Sequence, residues 1–272
     1  LLDFPNNRKS HKSPTVRLGG LSIFIGLYSS LLIGFILDIF PQKNILDINI
    51  ILAFLLGGFL FFCLGFIEDL KSLSPFLRLT LQFIFSFILW LQGLKIEGLN
   101  LSIADTTFFD YSISNALSIP LTCFFIVAII NAFNWMDGLD GLASGVAIIL
   151  FISLTFFENN NIFLISSLIG SSSAFLIFNI RGSTIMMGDG GSYLLGLFIS
   201  LMTIYASYSN DFKTHIKSIN IAVPFFLLLV PLLDMARVMF IRLINGRSIF
   251  YPDNNHLHHL FLKSGFGKIK SV

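Results

Sequence analysis

The feature that most constrains this chain is a series of apolar runs, each about twenty residues long, that recurs from Leu18 to Ile244. Each run can cross a hydrocarbon core of roughly 30 Å as an α-helix. Because 55% of the residues are hydrophobic and only 12% are charged, a soluble globular enzyme is excluded. We predict an all-α, polytopic transmembrane helical bundle with about eight spans, over residues 18–40, 48–67, 76–94, 116–134, 142–157, 161–180, 191–208 and 219–244.

The distribution of Lys and Arg predicts how this bundle is oriented. An even number of spans puts both ends on one side. That side, counting loops and adjoining span ends, holds thirteen Lys and Arg residues, against four on the other side. The positive-inside rule therefore places both ends in the cytosol. The formal net charge of +2 is too small to indicate a nucleic-acid partner.

The organisation along the chain predicts one domain. No repeat of fixed period and no low-complexity linker divides residues 1–272, so we expect a single transmembrane domain. The first twelve residues, LLDFPNNRKSHK, are typical of a chain leaving an earlier apolar helix, and we expect a piece of a protein that is longer at both ends. Nothing in the sequence indicates an oligomeric state.

The connections between spans differ on the two sides of the membrane. On the outer side, residues 95–115 alternate enough between apolar and polar to predict a short hairpin or interfacial segment. On the cytosolic side, four loops are rich in Asp, Asn, Gly or His: GFIEDLKSLSP, NAFNWMDGLDGLA, NIRGSTIMMGDGGS and GRSIFYPDNNHLHHL. We therefore expect the functional site where these four loops converge.

Glu68 and Asp69 are adjacent acids at the cytosolic end of the second span. Two neighbouring carboxylates at the membrane edge repel each other and are poorly solvated, so they require a cation, a basic partner or a proton. One interpretation is a divalent-metal or base site. The other is a solvated helix end neutralised by Lys71 and Arg78.

Asn131, Asn134, Asp137 and Asp140 recur every three residues in the second loop. A continuing helix would place these groups near one face, where they could hydrogen-bond a polar ligand. The alternative is a plain polar turn, because Asn and Asp-Gly pairs are common turn formers.

Asp189 is surrounded by Gly188, Gly190 and Gly191 just before the seventh span. A glycine-rich helix start offers amide N–H groups to an anion such as phosphate. The carboxylate of Asp189 would repel that anion unless Mg²⁺ lies between them. The pattern therefore indicates a metal-bridged diphosphate, against the alternative of an ordinary glycine-rich turn.

His256, His258 and His259 lie in the last polar loop. No second ligand set of the usual spacing accompanies them, so zinc is disfavoured. Together with Arg247 these imidazoles suit an anionic substrate, although an exposed polar loop would show the same composition.

Asp234 and Arg237 interrupt the last apolar run with a spacing of three residues. This spacing puts both on one helical face, and an intramembrane charge is costly unless it is paired. We expect a structural ion pair.

Five segments, taken together and in order, resemble the polyprenyl-phosphate N-acetylhexosamine-1-phosphate transferases of bacterial glycosyl transferase family 4. They are DFPNNRKSHKSPTVRLGG, GFIEDLKSLSP, NAFNWMDGLDGLA, NIRGSTIMMGDGGSYLLG, and PLLDMARVMF followed by DNNHLHH. The resemblance spans nearly the whole chain, and the HLHH form is more similar to the N-acetylhexosamine branch than to the muramoyl-peptide branch.

The resemblance implies a fold, a reaction and a location. The full protein would have ten or eleven spans and a cytosolic active site in the bacterial inner membrane. It would transfer an N-acetylhexosamine 1-phosphate from a UDP-sugar to undecaprenyl or another polyprenyl phosphate, with Mg²⁺ or its substitute Mn²⁺, and release UMP. The product would begin a cell-wall or surface glycan such as O-antigen of lipopolysaccharide or a teichoic-acid linkage; the sugar and the lipid length stay open.

The resemblance also implies roles for matched residues. Glu68 and Asp69 match the acidic pair that handles the lipid phosphate or the metal, and Asp189 matches the metal ligand. The pair is commonly Asp-Asp, so we favour Asp69 over Glu68 as base and second metal ligand, because one extra methylene displaces a carboxylate by about 1 Å. The positions matching the nucleotide, diphosphate and sugar contacts are Asn134, Asp137, Asp140, His256, His258 and His259.

Two other functions fit parts of the sequence. A proton- or cation-coupled transporter would also carry intramembrane acids, but it should place polar groups at mid-bilayer and on both faces. A phosphotransferase of the CDP-alcohol type typically has an Ala-Arg pair after its first Asp-Gly, whereas Leu139 and Leu142 follow the Asp-Gly pairs here.

Overall fold

A computed structural model of the chain describes residues 2–3, 15–37, 48–103, 106–157, 162–180, 184–207, 218–251, 253, 255–265 and 267. The helices are α1 Gly19–Ile36, α2 Ile48–Leu70, α3 Pro75–Leu91, α4 Asn115–Met136, α5 Leu142–Leu154, α6 Ile162–Asn179, α7 Gly188–Ala206, α8 Ala222–Ile244 and α9 Leu257–Lys263. The strands are β1 Leu2–Asp3, β2 Thr15–Val16, β3 Gly98–Ile103, β4 Thr106–Ser112 and β5 Ser218–Asn220.

The predicted helical membrane bundle is confirmed, and each of the eight apolar runs forms a helix. Five of these are long and apolar enough to cross a membrane: α1, α2 over Ile51–Leu70, α4, α6 and α8. Helices α3 and α5 are apolar but shorter. The 13 residues of α5 extend about 20 Å, which is less than a hydrocarbon core.

Helix α7 is the centre of the bundle. Every residue from 190 to 204 is buried, and the helix packs mainly against α2 and α4, and also against α1 and α5. A helix enclosed on all sides needs no polar face. Small residues allow its close crossings, because Gly65 of α2 lies against the backbone of Asp189, and Gly20 of α1 lies against Gly191.

The predicted hairpin between the third and fourth spans is confirmed. Strands β3 and β4 pair antiparallel, and β5 joins β3 in parallel, with Gly98 opposite Ser218. This pairing explains why α8 begins at residue 222 rather than at the predicted 219. The small sheet follows α3 and precedes α4 and α8, so it lies at the end of the bundle opposite the polar loops.

The segment before α1 is bound to the segment before α7. The amide of Met186 donates to the carbonyl of Val16 (2.8 Å), and the amides of Gly19 and Gly20 donate to the carbonyls of Met186 and Met187. These bonds bring Arg17 beside the start of α7. The basic stretch from 8 to 12, which the resemblance includes, lies outside the described residues.

Candidate active site

Asp69 joins the end of α2 to the start of α7. Its Oδ1 accepts the amide of Asp189 at 3.0 Å and its Oδ2 accepts the amide of Gly190 at 3.1 Å. Arg17 lies 3.4 Å from Oδ1, and the Asp69 side chain is only 2% exposed. The predicted anion site at this helix start therefore exists, but the bound anion is a carboxylate of the protein itself. The same bonds explain why α7 begins at Gly188 rather than after the glycines.

Glu68, next to Asp69, turns to a different partner. Its Oε2 accepts the amide of Leu73 at 3.0 Å, and its Oε1 lies 3.6 Å from the guanidinium of Arg78. Both members of the acidic pair thus have the basic partner that their position at the membrane edge requires. Their different surroundings give them different tasks, since Asp69 fixes α7 while Glu68 fixes the turn into α3.

Asp189 occupies the middle of the site and is half-buried. Asn134 at the end of α4 donates from Nδ2 to Oδ1 of Asp189 at 2.8 Å, and also to Oγ of Ser192 at 3.1 Å. Among the described residues, none donates a hydrogen bond to the other carboxylate oxygen of Asp189. One oxygen is thereby oriented by the protein, while the second is free for a ligand.

Asp137 completes an acidic group at this end of the bundle. Helix α4 ends at Met136, so Asp137 and Asp140 lie in a turn rather than on the continued helix face. The pKa of Asp137 is raised to about 7, mainly because the side chain is buried. The negative charges of Asp189, Asp69 and Asp140 raise this pKa further, and the positive charge of Arg17 partly opposes them. We call Asp69, Asp137 and Asp189 the carboxylate cluster.

The carboxylate cluster fits a cation that a substrate helps to bind. Within the described ranges, no three Asp, Glu, His or Cys side chains converge into a ready metal cage. Mg²⁺ seldom uses such a cage, because it is usually held by one or two carboxylates together with substrate phosphates and water. A cation held partly by substrate phosphates suits this cluster, because one oxygen of Asp189 is open and the three carboxylates repel each other. Asp69 is less available as a metal ligand, since backbone amides already donate to both of its oxygens.

The raised pKa of Asp137 predicts how pH changes the stability of the metal-free protein. Between pH 3.8 and about 7 the folded protein keeps a proton on Asp137 that the unfolded chain has released, so stability falls as the pH rises through this window. We expect the melting temperature in EDTA to drop from pH 5.5 to pH 8, and Asp137→Asn to make this slope shallower. A variant slope equal to that of the wild type, measured by thermal shift in detergent, would contradict the assignment.

The polar segment after α8, described at residues 249–251, 253 and 255–259, folds back over the end of α4. Arg242 donates from Nε to Oδ2 of Asp253 at 2.9 Å and from Nη2 to Oδ1 at 3.1 Å, and both side chains are only 6% exposed. The guanidinium also lies 4.8 Å from the ring centroid of Trp135. Partial burial alone would raise the pKa of Asp253, but its bonds to Arg242 hold that pKa below the usual range.

One histidine of this segment, His258, reaches the turn after α4. A Cβ added to Gly138 would lie 2.3 Å from Nε2 of His258, so the ring lies directly on that backbone. Nε2 is buried and has no hydrogen-bond partner within the part of the chain that the structure describes. Burial, followed by the neighbouring histidines, lowers the pKa of His258 to about 4 and also lowers that of His259. His258 is therefore neutral at pH 7 and can bind an anion only by donating a hydrogen bond.

Arg247 does not join the histidines as the sequence interpretation expected. It is exposed, and its guanidinium lies 4.8 Å from the ring centroid of Tyr251. Two other arginines contact the histidine segment: Arg242 binds Asp253, and Arg237 donates to the carbonyl of Asn255. The predicted ion pair of Asp234 with Arg237 is present at 3.6 Å.

One residue that positions the site, Asn179, was missed by the sequence analysis. Asn179 at the end of α6 accepts the amide of Gly141 and donates to the carbonyl of Ile185 at 2.8 Å, so it joins two of the site loops. Its signal was a single amide at the end of an apolar run, which the membrane tolerates only when it is paired. Asn131, which the sequence placed among the ligand-binding groups, instead turns inward and donates to Oε1 of Gln82 at 2.7 Å.

Comparisons with known proteins match most of the chain, including the residues of this site. A family model described as glycosyl transferase family 4 matches residues 51–207, which include the whole carboxylate cluster. A probable undecaprenyl-phosphate N-acetylglucosaminyl 1-phosphate transferase of Bacillus subtilis is 30% identical over all of this chain and 72% of its own length. A decaprenyl-phosphate N-acetylglucosaminephosphotransferase of Mycobacterium leprae is 29% identical over 96% of this chain and 70% of its own length. An undecaprenyl-phosphate alpha-N-acetylglucosaminyl 1-phosphate transferase of Yersinia pestis is 28% identical over 98% of this chain and 70% of its own length.

Proposed function

Because this chain belongs to glycosyl transferase family 4, we propose that it transfers an N-acetylhexosamine 1-phosphate from a UDP-sugar to a polyprenyl phosphate and releases UMP. N-acetylglucosamine is the first sugar to test, since the relatives carry it in their names. The observation that carries the proposal is the carboxylate cluster, which the folded chain assembles from three helix ends at one end of a membrane bundle. That position lets a lipid-borne phosphate meet a water-soluble nucleotide.

The reaction joins two anions, so the site must offset their repulsion. Mg²⁺, when bound, would neutralise the diphosphate of the UDP-sugar and stabilise the departing UMP. Asp189 is the first candidate ligand, with one oxygen held by Asn134; Asp69 is the second candidate. Arg17 and Arg78 add positive charge at the same end of the bundle.

The lipid phosphate needs orientation more than it needs a base. The second pKa of a phosphate monoester is about 6, so the nucleophile is already largely a dianion at pH 7. The contacts of Asp69 support a positioning task, because its carboxylate holds the start of α7 and hence Asp189. Asp137, His256, His258 and His259 lie around the turn after α4, where they would contact the UDP-sugar.

The location of the site supports the transferase over a transporter. The carboxylate cluster lies at the helix ends, whereas a transporter would be expected to place such groups at mid-bilayer. We propose that this end faces the cytosol of a bacterium, because Lys71, Arg78 and Arg247 lie there and UDP-sugars are cytosolic substrates. The product would then begin a surface glycan at the inner membrane.

UMP release tests the proposal directly. The purified protein in detergent would be given undecaprenyl phosphate and a panel of UDP-N-acetylhexosamines, with Mg²⁺, Mn²⁺ or EDTA. We expect UMP formation that requires both the lipid and the divalent cation, with the preferred sugar identified by the fastest donor. Folded protein that releases no UMP from any donor would overturn the proposal, and UMP release without lipid would indicate hydrolysis instead.

A further inference from the structure

Asp234 on α8 does more than pair with Arg237. Its Oδ2 lies 2.9 Å from Nδ1 of His256, and its Oδ1 accepts the amide of Leu257 at 3.0 Å. The His256 and Asp234 side chains are only 8% and 11% exposed. One carboxylate therefore holds both the imidazole of His256 and the first amide of α9.

The carboxylate determines which ring nitrogen of His256 carries a proton. An ionised carboxylate only accepts hydrogen bonds, so Nδ1, which faces it, must be the donor. In the neutral ring, Nε2 then carries the lone pair; when the ring binds a second proton, that proton goes to Nε2. Among the described residues, Nε2 of His256 has no hydrogen-bond partner.

The surroundings of His256 hold the ring in one orientation. The ring of Trp135 lies edge-on with its centroid 5.9 Å away, and the ring of His258 is stacked at 5.7 Å. Arg237, which is 3.6 Å from Asp234, donates to the carbonyl of Asn255 at 2.8 Å. The charged and titratable groups around this ring are, by element, Asp234, Arg237 and Arg242 on α8, His258 and His259 on α9, and Asp253 in the connection.

We propose that Asp234 is a positioning residue that fixes His256 with Nδ1 protonated, so that Nε2 contacts the UDP-sugar. This inference rests on the proposed function, and it assigns Asp234 a role beyond the ion pair with Arg237. When Nε2 carries a proton, it can donate to a phosphate oxygen of the diphosphate. Asp234 stays paired with the ring in that state, as a carboxylate does with a catalytic imidazole.

The test is Asp234→Asn, which keeps the size of the side chain. The new amide can still accept from Leu257 through Oδ1, but its Nδ2 group now donates towards Nδ1 of His256, so the neutral ring must place its proton on Nε2. In the wild type the charged ring stays paired with the carboxylate, whereas in the variant no carboxylate pairs with it and a neutral Nε2–H gives the diphosphate only a weaker, uncharged hydrogen bond. We therefore expect kcat/KM for the UDP-sugar to fall by about 100-fold or more and its pH profile to change, while the KM for polyprenyl phosphate stays as in the wild type. An unchanged kcat/KM and pH profile would overturn the proposal.

Asp253→Asn is the matched control, because Asp253 also orders this segment but binds Arg242 instead of a histidine. We expect it to lower the melting temperature without altering the shape of the pH profile. If both variants lower activity with the same unshifted profile, Asp234 is merely structural and the proposal fails.

A spectroscopic measurement tests the proposal without turnover. Nitrogen-15 NMR of the histidine-labelled wild type, with the signal assigned by His256→Gln, is expected to show a protonated Nδ1 at neutral pH. A signal for protonated Nε2 alone would overturn the proposal even if Asp234→Asn does not fold. Failure of wild-type UMP release would instead overturn the proposed function, so the two failures are distinguishable.

Discussion

Asp189→Asn is expected to lower kcat for sugar-phosphate transfer on the order of 1,000-fold. The negative charge of Asp189 repels the carboxylates of Glu68, Asp69 and Asp137. Asp189 is therefore the one acid that interacts with all three of the others. Asn has the same shape and still accepts from Asn134, but it lacks the charge that a divalent cation requires. UMP release in saturating donor and lipid measures the loss.

The stability of the same variant separates lost chemistry from lost folding. Removing one charge from a group of like charges relieves their repulsion, so the metal-free Asp189→Asn protein should melt at a higher temperature than the wild type. Asp110→Asn is the control, because Asp110 is exposed on β4 at the opposite end; it should change neither activity nor melting temperature. An active Asp189→Asn enzyme that is indifferent to EDTA would refute the metal role.

The sequence predicts the helices of this fold better than it predicts their arrangement. Each apolar run forms a helix, because a chain in lipid must satisfy its backbone hydrogen bonds internally. Apolarity cannot reveal which helix is central, since lipid-facing positions are as apolar as buried ones; Phe226 on α8 is 75% exposed, whereas Phe198 on α7 is fully buried. The sequence feature that indicates a central position for α7 is its small residues, which allow neighbouring helices to cross it closely.

The site could be located from the sequence, but its internal contacts could not be predicted. Asp69 and the amide of Asp189 are separated by 120 positions, so their bond depends on how α2 and α7 pack. The spacing of Asp234 and Arg237 predicted a local pair correctly, yet helical spacing says nothing about His256, which is 22 positions away. Local patterns identify residues that need partners, and only the packing decides which partners they obtain.

Gly65→Ala is expected to damage the site through that packing. A Cβ at position 65 would lie 2.3 Å from the carbonyl oxygen of Asp189 and 2.6 Å from the amide nitrogen of Gly190. Both are backbone atoms that cannot rotate away, so α2 and α7 must separate by about 1 Å. Asp69 lies one turn beyond Gly65, and its bonds of 3.0 and 3.1 Å to α7 would not survive that displacement.

The single added methyl group of Gly65→Ala is expected to lower the free energy of unfolding by about 1–3 kcal/mol. It is also expected to lower the rate of UMP release by about 100-fold. Gly145→Ala on α5 is the control, because nothing lies within 4 Å of the added Cβ; it should leave activity unchanged and stabilise the helix by about 0.5–1 kcal/mol. Melting temperature and UMP release of both variants decide the matter. If Gly65→Ala matches the wild type in both, the close crossing of α2 and α7 does not set the geometry of the carboxylate cluster.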